Sequence, residues 1–414
     1  MPTSLDASRF YCALKPALEV YAPGCAGHSS LFERWLREAP ECSAGVRYSG
    51  VHIPTVNRFV FADLHRDARQ RGIFLSAELR AAWDDGRFDY VPISYSDTWR
   101  WLEQRAEFDL ALLQVAPPDA DGRCSLGVGC DFSSAAWPRA KRVFAHINPL
   151  MPSTNGPSIS LSDIDAAIES AEPLLTVDAP AADSSLDALA VAVANIIDDG
   201  STLQLGLGRL QSALLRALRD RRRLRIHAGM VSDGLLELID SGALDEARDA
   251  VTAGVAIGSA ALYRRVAERV RFAPVGHTHA AGVLAAIPKL QAINSALQVD
   301  LLGQVNGETI SGRQISGVGG LPDFLRGARA SPGGRGIVAL PSCTSRGQSR
   351  IVAQLAPGPV SVARVDADWV VTEHGAADLR ERSVDARARG LIAIAAPDQR
   401  EPLERQWHAL RRLL

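Results

Sequence analysis

Short apolar runs with the composition of β-strands alternate with amphipathic segments along this chain. In the first part of the sequence the strand-like runs cover residues 46–51, 73–75, 90–93, 110–115 and 142–145. Between them, residues 76–85 and 99–105 have the periodicity of helices that cover one face of a sheet. This alternation predicts an open α/β sheet.

Residues 292–308 and 315–324 combine a predicted strand, a polar turn and a glycine-rich loop. The apolar positions from Ile293 to Leu301 suit one buried strand, whereas polar neighbours such as Asn294 and Asp300 require hydrogen-bond partners there. The loop Ser316-Gly317-Val318-Gly319-Gly320 allows backbone N–H groups to approach an oxyanion closely. We therefore predict a ligand or active-site loop at this point.

The length of the chain and a likeness between its two parts predict two domains. The 414 residues exceed a typical single domain. Residues 202–219 repeat the order of strand, glycine loop and helix that residues 20–31 begin. A loop-like stretch at 179–184 precedes a helix predicted over 185–198, so we place the boundary there. Residues 1–184 then form an N-terminal α/β domain, and residues 185–414 form a C-terminal one.

Composition excludes several classes of function. A net charge of -2 offers no electrostatic basis for binding nucleic acid or an anionic membrane. The sequence has no apolar run of membrane-spanning length, and it does not begin like a signal peptide, so we expect a cytoplasmic protein. The six cysteines include no CxxC pair, and Cys124 and Cys130 lack nearby histidine or cysteine partners, so we expect no metal site.

A series of motifs runs in order along nearly the whole chain. They are Asp89-Tyr90-Val91-Pro92-Ile93, residues 114–119 with 124–128, Asn148-Pro149-Leu150-Met151-Pro152, Leu205-Gly206-Leu207-Gly208, Ser232-Asp233-Gly234, residues 293–304, residues 316–324, Ala339-Leu340-Pro341-Ser342 and residues 371–380. Together they resemble the acetyl-CoA hydrolase/transferase family, the class I CoA-transferases that include 4-hydroxybutyrate CoA-transferase.

This resemblance implies two similar open α/β domains of the class I CoA-transferase type, in a homodimer or higher homo-oligomer. It implies an acyl-CoA substrate, with coenzyme A held mainly by the second domain and no metal. The residues that it assigns to CoA are Gly206, Gly208, Arg209, Leu210, Ser316, Gly319, Gly320 and Arg346. Backbone donors up to Gly320 would stabilise the oxyanion of the thioester, at roughly 3–4 kcal/mol per donor.

The sequence departs from the family pattern at its most important position. In the segment His227-Ala228-Gly229-Met230-Val231-Ser232-Asp233-Gly234, Gly229 stands where the family has the glutamate that forms a covalent CoA thioester. Gln298 replaces a glutamate that is frequent in the strand, and Leu321 replaces the glutamine of a Gly-Gly-Gln loop. A lysine common in the family is Ser345 here, with Arg346 beside it. Because glycine has no side chain, the usual two-step exchange cannot run through Gly229.

Three interpretations follow from this departure. In the first, which we favour, the acyl group passes directly to water or another acceptor, with Gly320 in the oxyanion loop and a base among His227, His279 and Glu308. In the second, Glu308 or Glu373 replaces the lost nucleophile and the protein is still a CoA-transferase. In the third, the protein binds acyl-CoA without chemistry, because the same glycine loops would serve binding alone.

Overall fold

The structure is a computed structural model, and it describes residues 1–178 and 183–414. Packing divides the chain into two compact units. The first consists of Met1–Ala179 and Val251–Thr278, and the second of Pro180–Ala250 and His279–Leu414. The loop predicted over 179–184 lies mostly outside the described residues. The domain boundary predicted after residue 184 stays a prediction.

Strands and helices alternate in residues 1–178. The strands are β1 (Thr3–Ser4), β2 (Glu19–Tyr21), β3 (Arg47–Ser49), β4 (Arg69–Gly72), β5 (Phe88–Tyr90), β6 (Leu110–Val115), β7 (Arg123–Ser125), β8 (Val143–Ile147), β9 (Ser158–Ser160) and β10 (Ala166–Glu169). The α-helices are α1 (Ala7–Ala13), α2 (Ser30–Glu38), α3 (Arg80–Asp84), α4 (Tyr95–Gln104) and α5 (Ser133–Ala136). Short 3-10 turns lie at Cys25–Gly27, Pro40–Ser43, Phe61–Asp63, Trp137–Arg139 and Leu161–Asp163.

The same alternation continues from residue 183 to the last residue. After a 3-10 turn at Ser184–Leu186, residues up to 278 form α6 (Asp187–Ala194), β11 (Thr202–Leu205), α7 (Arg209–Ala217), β12 (Arg225–Val231), α8 (Gly234–Asp240), β13 (Val251–Ala256), α9 (Ala260–Val266), β14 (Arg271–Phe272) and α10 (Val275–Thr278). Residues 279–414 form α11 (Ala281–Ala286), β15 (Leu290–Ser295), β16 (Gln298–Asp300), β17 (Val305–Asn306), β18 (Thr309–Ile310), β19 (Arg313–Gln314), α12 (Leu321–Ala330), β20 (Arg335–Ala339), β21 (Ile351–Val352), β22 (Trp369–Thr372), β23 (Gly375–Asp378), α13 (Val384–Ala393) and α14 (Pro397–Arg411). None of these helices has the length and apolarity that crossing a bilayer requires.

The first unit is built on an eight-stranded parallel sheet. Its strand order is β1-β10-β8-β6-β2-β3-β4-β5. Every residue of β6 is buried, as expected for a strand that is covered by helices on both faces. Large side chains such as Phe10 of α1, Trp35 of α2 and Phe144 of β8 belong to one core cluster.

The second unit repeats this topology. Its parallel strands run in the order β12-β11-β15-β20-β22, and β23 adds an antiparallel edge. From β2 and from β11 onward, the next strands extend the sheet to one side and the later strands extend it to the other, so the order reverses between β2 and β6 and between β11 and β15. The short β1 is the exception, because it pairs with β10 on the side of the later strands. The predicted fold class, two similar open α/β domains, is confirmed.

Some predicted strands were wrong in detail. Residues 292–301 form two strands rather than one, because β15 ends at Ser295 while β16 pairs with β17 and β21 in a separate small sheet. The neighbours of β15 explain the break: Ser295 is opposite Ala339, where β20 ends, so a longer strand would have no partner. Residues 73–75 are buried, but they follow the end of β4 and do not form a strand. The prediction failed because an apolar run alone does not distinguish a strand from a buried loop.

The fully buried Asp300 organises the turn that follows β16. Its carboxylate accepts hydrogen bonds from the backbone N–H of Leu302 at 3.1 Å and of Gln304 at 2.9 Å, and from the Gln304 side chain at 2.7 Å. These bonds satisfy donors that the turn would otherwise bury without partners.

We expect Asp300→Ala to lower the free energy of unfolding by about 3 kcal/mol, because it leaves several buried donors unpaired. Chemical denaturation monitored by circular dichroism measures this loss. The exposed Asp220 provides the control, since Asp220→Ala should change stability by less than about 0.5 kcal/mol. Equal stability of the two variants would contradict the role assigned to Asp300.

Candidate active site

The carboxyl ends of the parallel strands in the second unit collect the polar and glycine-rich motifs at one edge. Loops begin there after Leu205 of β11, Val231 of β12, Ser295 of β15, Ala339 of β20 and Thr372 of β22. Open α/β sheets bind ligands at this edge, in the crevice where the strand order reverses. That point lies between β11 and β15.

The first glycine loop, residues 206–208, connects β11 to α7. Gly208 has a positive φ of 133°, which favours glycine, and no atom lies within 4 Å of where a Cβ of Gly206 would stand. On α7, the Gln211 side chain donates to Ser295 Oγ at 3.0 Å and so joins the loop to the end of β15.

The four residues of this segment that the sequence predicted to bind CoA have different environments in the structure. Gly206 and Gly208 present backbone at the open edge, where a ligand could approach. Arg209 forms an ion pair with Asp183 at 3.0 Å and is largely exposed, whereas Leu210 is buried in the core. Leu210 therefore supports the loop by packing.

The second glycine loop, residues 316–320, leads into the ten-residue helix α12. Gly319 has a φ of 55°, and Gly320 is the N-cap residue without a side-chain cap. The carbonyl of Ser316 accepts a hydrogen bond from the Gln314 side chain at 2.9 Å, which orients the start of the loop. The first amides of a helix have no intrahelical acceptors and lie at the positive end of its dipole, where anions bind. In α12, however, the Leu321 N–H already donates to the Val318 carbonyl at 3.2 Å and Pro322 has no N–H, so these two positions offer no donor to an anion.

The imidazole of His279 lies between Gly229 and Gly320. A Cβ atom on Gly229 would stand 2.8 Å from His279 Cε1, and one on Gly320 would stand 2.5 Å from His279 Nε2. The ring also packs against Phe324 of α12, with 4.5 Å between ring centroids. The space beside residue 229 into which a side chain would extend is thus occupied by His279.

Two histidines share this region of the site. His279 is 2% exposed, and burial together with the nearby charge of His227 lowers its pKa to about 3. His279 is therefore neutral at physiological pH. His227 lies two residues before Gly229 on β12, so both point to the same face of the sheet. Three of the predicted catalytic residues, His227, His279 and Gly320, meet around Gly229.

Glu308, the fourth predicted catalytic residue, is buried in a hydrogen-bond network. Its carboxylate is buried and accepts hydrogen bonds from Ser361 Oγ at 2.7 Å and from Gln314 Nε2 at 3.1 Å. Its backbone carbonyl accepts from the N–H of Ile315 at 2.8 Å. These contacts hold the β18–β19 hairpin that leads into the second glycine loop.

The last two loops of this edge contain Arg346 and Glu373. Arg346 is exposed in the turn that Thr344 and Gln348 close with a 2.8 Å backbone hydrogen bond. Glu373 accepts from Ser342 N at 2.9 Å and from Ser342 Oγ at 2.6 Å. Burial alone would raise the pKa of Glu373, but the hydrogen bonds from Ser342 prevail and lower it. Within the described residues, no group of three or more histidine, cysteine or acidic side chains could hold a metal.

Sequence reasoning missed Gln211 and Phe324 as parts of the site. Gln211 bridges two loops, and Phe324 supports the ring of His279. A glutamine in the first turn of a helix after a glycine loop was a weak signal for Gln211. The contact of Phe324 with His279 had no signal in the sequence.

Comparison with known proteins gives this geometry a context. Family models described as the acetyl-CoA hydrolase/transferase N-terminal and C-terminal domains match residues 49–179 and 258–407. A 4-hydroxybutyrate coenzyme A transferase of Clostridium kluyveri is 39% identical over 355 residues, covering 83% of this chain and 83% of that protein. The chain belongs to the acetyl-CoA hydrolase/transferase family.

Further proteins are similar to this acetyl-CoA hydrolase/transferase family member in sequence or in structure. A succinyl-CoA:acetate/propanoyl-CoA:succinate CoA transferase of Fasciola hepatica is 34% identical over 405 residues, which cover 95% of this chain and 85% of that protein. RipA from Yersinia pestis has a TM-score of 0.89 at 28% identity, covering 98% of this chain and 100% of that one. The 4-hydroxybutyrate CoA-transferase of Porphyromonas gingivalis has a TM-score of 0.80 at 29% identity, covering 100% and 98%. Membership of the family indicates an enzyme of acyl-CoA transfer or hydrolysis.

A double-mutant cycle tests the contact between Gly229 and His279. We expect Gly229→Ala to cost about 1–3 kcal/mol of stability, because its Cβ would overlap the ring. In the His279→Ala background the same change should cost at least about 1 kcal/mol less. Thermal and denaturant unfolding of the four proteins measures this coupling.

Gly282 of α11 is the matched control, since no atom lies within 4 Å of where its Cβ would stand. Gly282→Ala should leave stability unchanged or raise it by about 0.5–1 kcal/mol, and should not couple to His279→Ala. Additive effects of Gly229→Ala and His279→Ala would show that the ring does not exclude a side chain at residue 229.

The neutral state of His279 predicts a pH dependence of stability. The pKa of His279 in the folded protein is about 3, below its ordinary 6.5, so the unfolded chain takes up the proton first. The stability that this group contributes is fully present above pH 6.5 and is lost as the pH falls toward 3. Between pH 6.5 and 5 the loss should be about 1.6 kcal/mol.

Denaturant unfolding of the parent and of His279→Gln across this pH range measures the effect. The difference between the two curves isolates His279, because all other titrating groups are common to both proteins. Parallel curves would mean that His279 is solvated in the folded protein.

Proposed function

We propose that this protein transfers the acyl group of a CoA thioester directly to an acceptor, without a glutamyl-CoA intermediate. The observation that carries the proposal is the position of His279. Its ring occupies the space beside Gly229, so this site lacks both the carboxylate and the room for it. Chemistry at this position therefore needs a nucleophile that arrives with the second substrate.

The glycine loops would supply binding and electrostatic stabilisation. Residues 206–208 would approach the phosphates or pantetheine of CoA through their backbone, and Arg346 is an exposed cation on the same edge. The amides that precede α12, from Ser316 to its N-cap Gly320, would face the thioester oxygen. As negative charge develops on that oxygen, preorganised donors stabilise it by about 3–4 kcal/mol each.

The reaction then needs two proton transfers, one from the acceptor to a base and one from that base to the thiolate of CoA. The acceptor, water or another nucleophile, attacks the carbonyl carbon while a base removes its proton. The C–S bond breaks, the thiolate of CoA takes up that proton, and the products are the acylated acceptor and free CoA. We assign the base to His227, because the low pKa of His279 makes it a weak base that serves as a neutral neighbour.

A second candidate is a CoA-transferase that uses a substitute carboxylate, and the names of the relatives favour it. Glu308 and Glu373 are the acidic residues to consider. Each is held by hydrogen bonds, Glu308 by Ser361 and Gln314 and Glu373 by Ser342, and such bonds weaken a nucleophile. For this reason direct transfer is the preferred mechanism. We also propose a homodimer or higher homo-oligomer in the cytoplasm.

Mass spectrometry of the intact protein and its products distinguishes these candidates. The purified enzyme is incubated with a panel of acyl-CoAs and with water, carboxylic acids or amines as acceptors. We expect free CoA and a new acyl product without a protein-bound adduct. A CoA-sized adduct on a carboxylate would overturn direct transfer in favour of the substitute-nucleophile mechanism, and CoA binding without turnover would overturn both.

Histidine variants test the assigned base in the same assay. His227→Gln should lower turnover by about 10²–10⁴-fold, the usual contribution of a positioned base. The exposed His408 is the control, and His408→Gln should keep full activity. Full activity of a folded His227→Gln protein would remove His227 from the mechanism.

A further inference from the structure

A cavity of about 500 Å³ lies within the first unit, and its lining includes none of the residues assigned to the proposed acyl-transfer site. It is formed where β3, β4 and β5 reach their carboxyl ends, and helix α4 contributes the facing wall. This volume is within the range of about 300–1,000 Å³ that small-molecule sites occupy. The carboxyl ends of parallel strands are also where open α/β sheets bind ligands.

The lining of the cavity is largely apolar. The apolar contributions come from strand ends and from α4: Val51, Ile73, Val91, Ile93, Trp101 and Leu102. The Trp101 ring is half-buried and offers a flat surface to a ligand. A molecule that fills this space must therefore carry an apolar body.

Charged groups complete the lining with a small positive excess. The guanidinium of Arg71 lies over the Trp101 ring, 5.9 Å from its centroid, and 4.0 Å from the Asp89 carboxylate. Arg100 pairs with Asp97 at 3.2 Å, and Arg105 is the third cation of the lining. Three arginines against two aspartates leave a net charge of +1.

This balance of charge selects among ligand classes. A polyanion such as a nucleotide phosphate would meet the carboxylates of Asp89 and Asp97 and would be repelled by them. A neutral apolar molecule would gain nothing from the arginines and would cover the polar side of Arg71. A single carboxylate matches the excess charge, because guanidinium binds it with two parallel hydrogen bonds.

We propose that this cavity is a binding site for a monoanionic carboxylate with an aromatic or branched aliphatic body. The apolar body lies against Trp101 and the strand ends, and the carboxylate lies at Arg71. The proposal does not depend on the acyl-transfer mechanism of the second unit.

Isothermal titration calorimetry of the full-length protein tests the site with benzoate as probe. We expect benzoate to bind and its neutral analogue benzyl alcohol to bind at least tenfold more weakly. Arg71→Gln should weaken benzoate at least tenfold, and Ile93→Trp, which fills the cavity, should abolish binding. Circular dichroism melting shows whether each variant is folded.

Two controls locate the bound anion. Arg66, whose side chain is 88% exposed and which is not part of the cavity lining, should be replaceable by Gln without effect on benzoate. His227→Gln should also leave benzoate affinity unchanged. Absence of benzoate binding, equal binding of benzyl alcohol, an unchanged affinity in both folded cavity variants, or a loss in His227→Gln would each overturn the proposal.

Discussion

Parallel pairing of β11 with β15 is the constraint on which the candidate site depends. These strands are distant in sequence, yet their register places Leu205 opposite Ile293, so the two loops that follow begin at the same edge. The hydrogen bond from Gln211 to Ser295 then joins those loops directly. The loops after β12, β20 and β22 begin at this edge because these strands run parallel to the same pair.

The strand order of the first unit also reverses, between β2 and β6. A different side chain joins the two strands' ends at that point. Gln114 of β6 donates to the carbonyls of Ala26 and His28 in the loop after β2, at 3.2 and 2.9 Å. In each unit a glutamine amide spans the crevice where the strand order reverses. One topology therefore provides two loop clusters, and their side chains decide what each can bind.

The glycine at residue 229 is matched by a contact from elsewhere in the second unit. Gly229 and Gly320 leave a space that the His279 ring fills, and Phe324 supports the ring from α12. Burial then keeps this histidine neutral. A buried, neutral imidazole therefore occupies the space into which a side chain at residue 229 would extend.

The sequence by itself determined the alternation of strands and helices, the glycine loops and the absence of a carboxylate at residue 229, because each of these is local. It did not determine that β15 and β16 are separate strands, since the break depends on where β20 ends. Only the tertiary structure placed His279 against Gly229 and Gly320 and brought Arg71, Asp89 and Trp101 around one cavity. These are contacts between distant parts of the chain, and their geometry is set by the register of the sheets and the packing of helices on them.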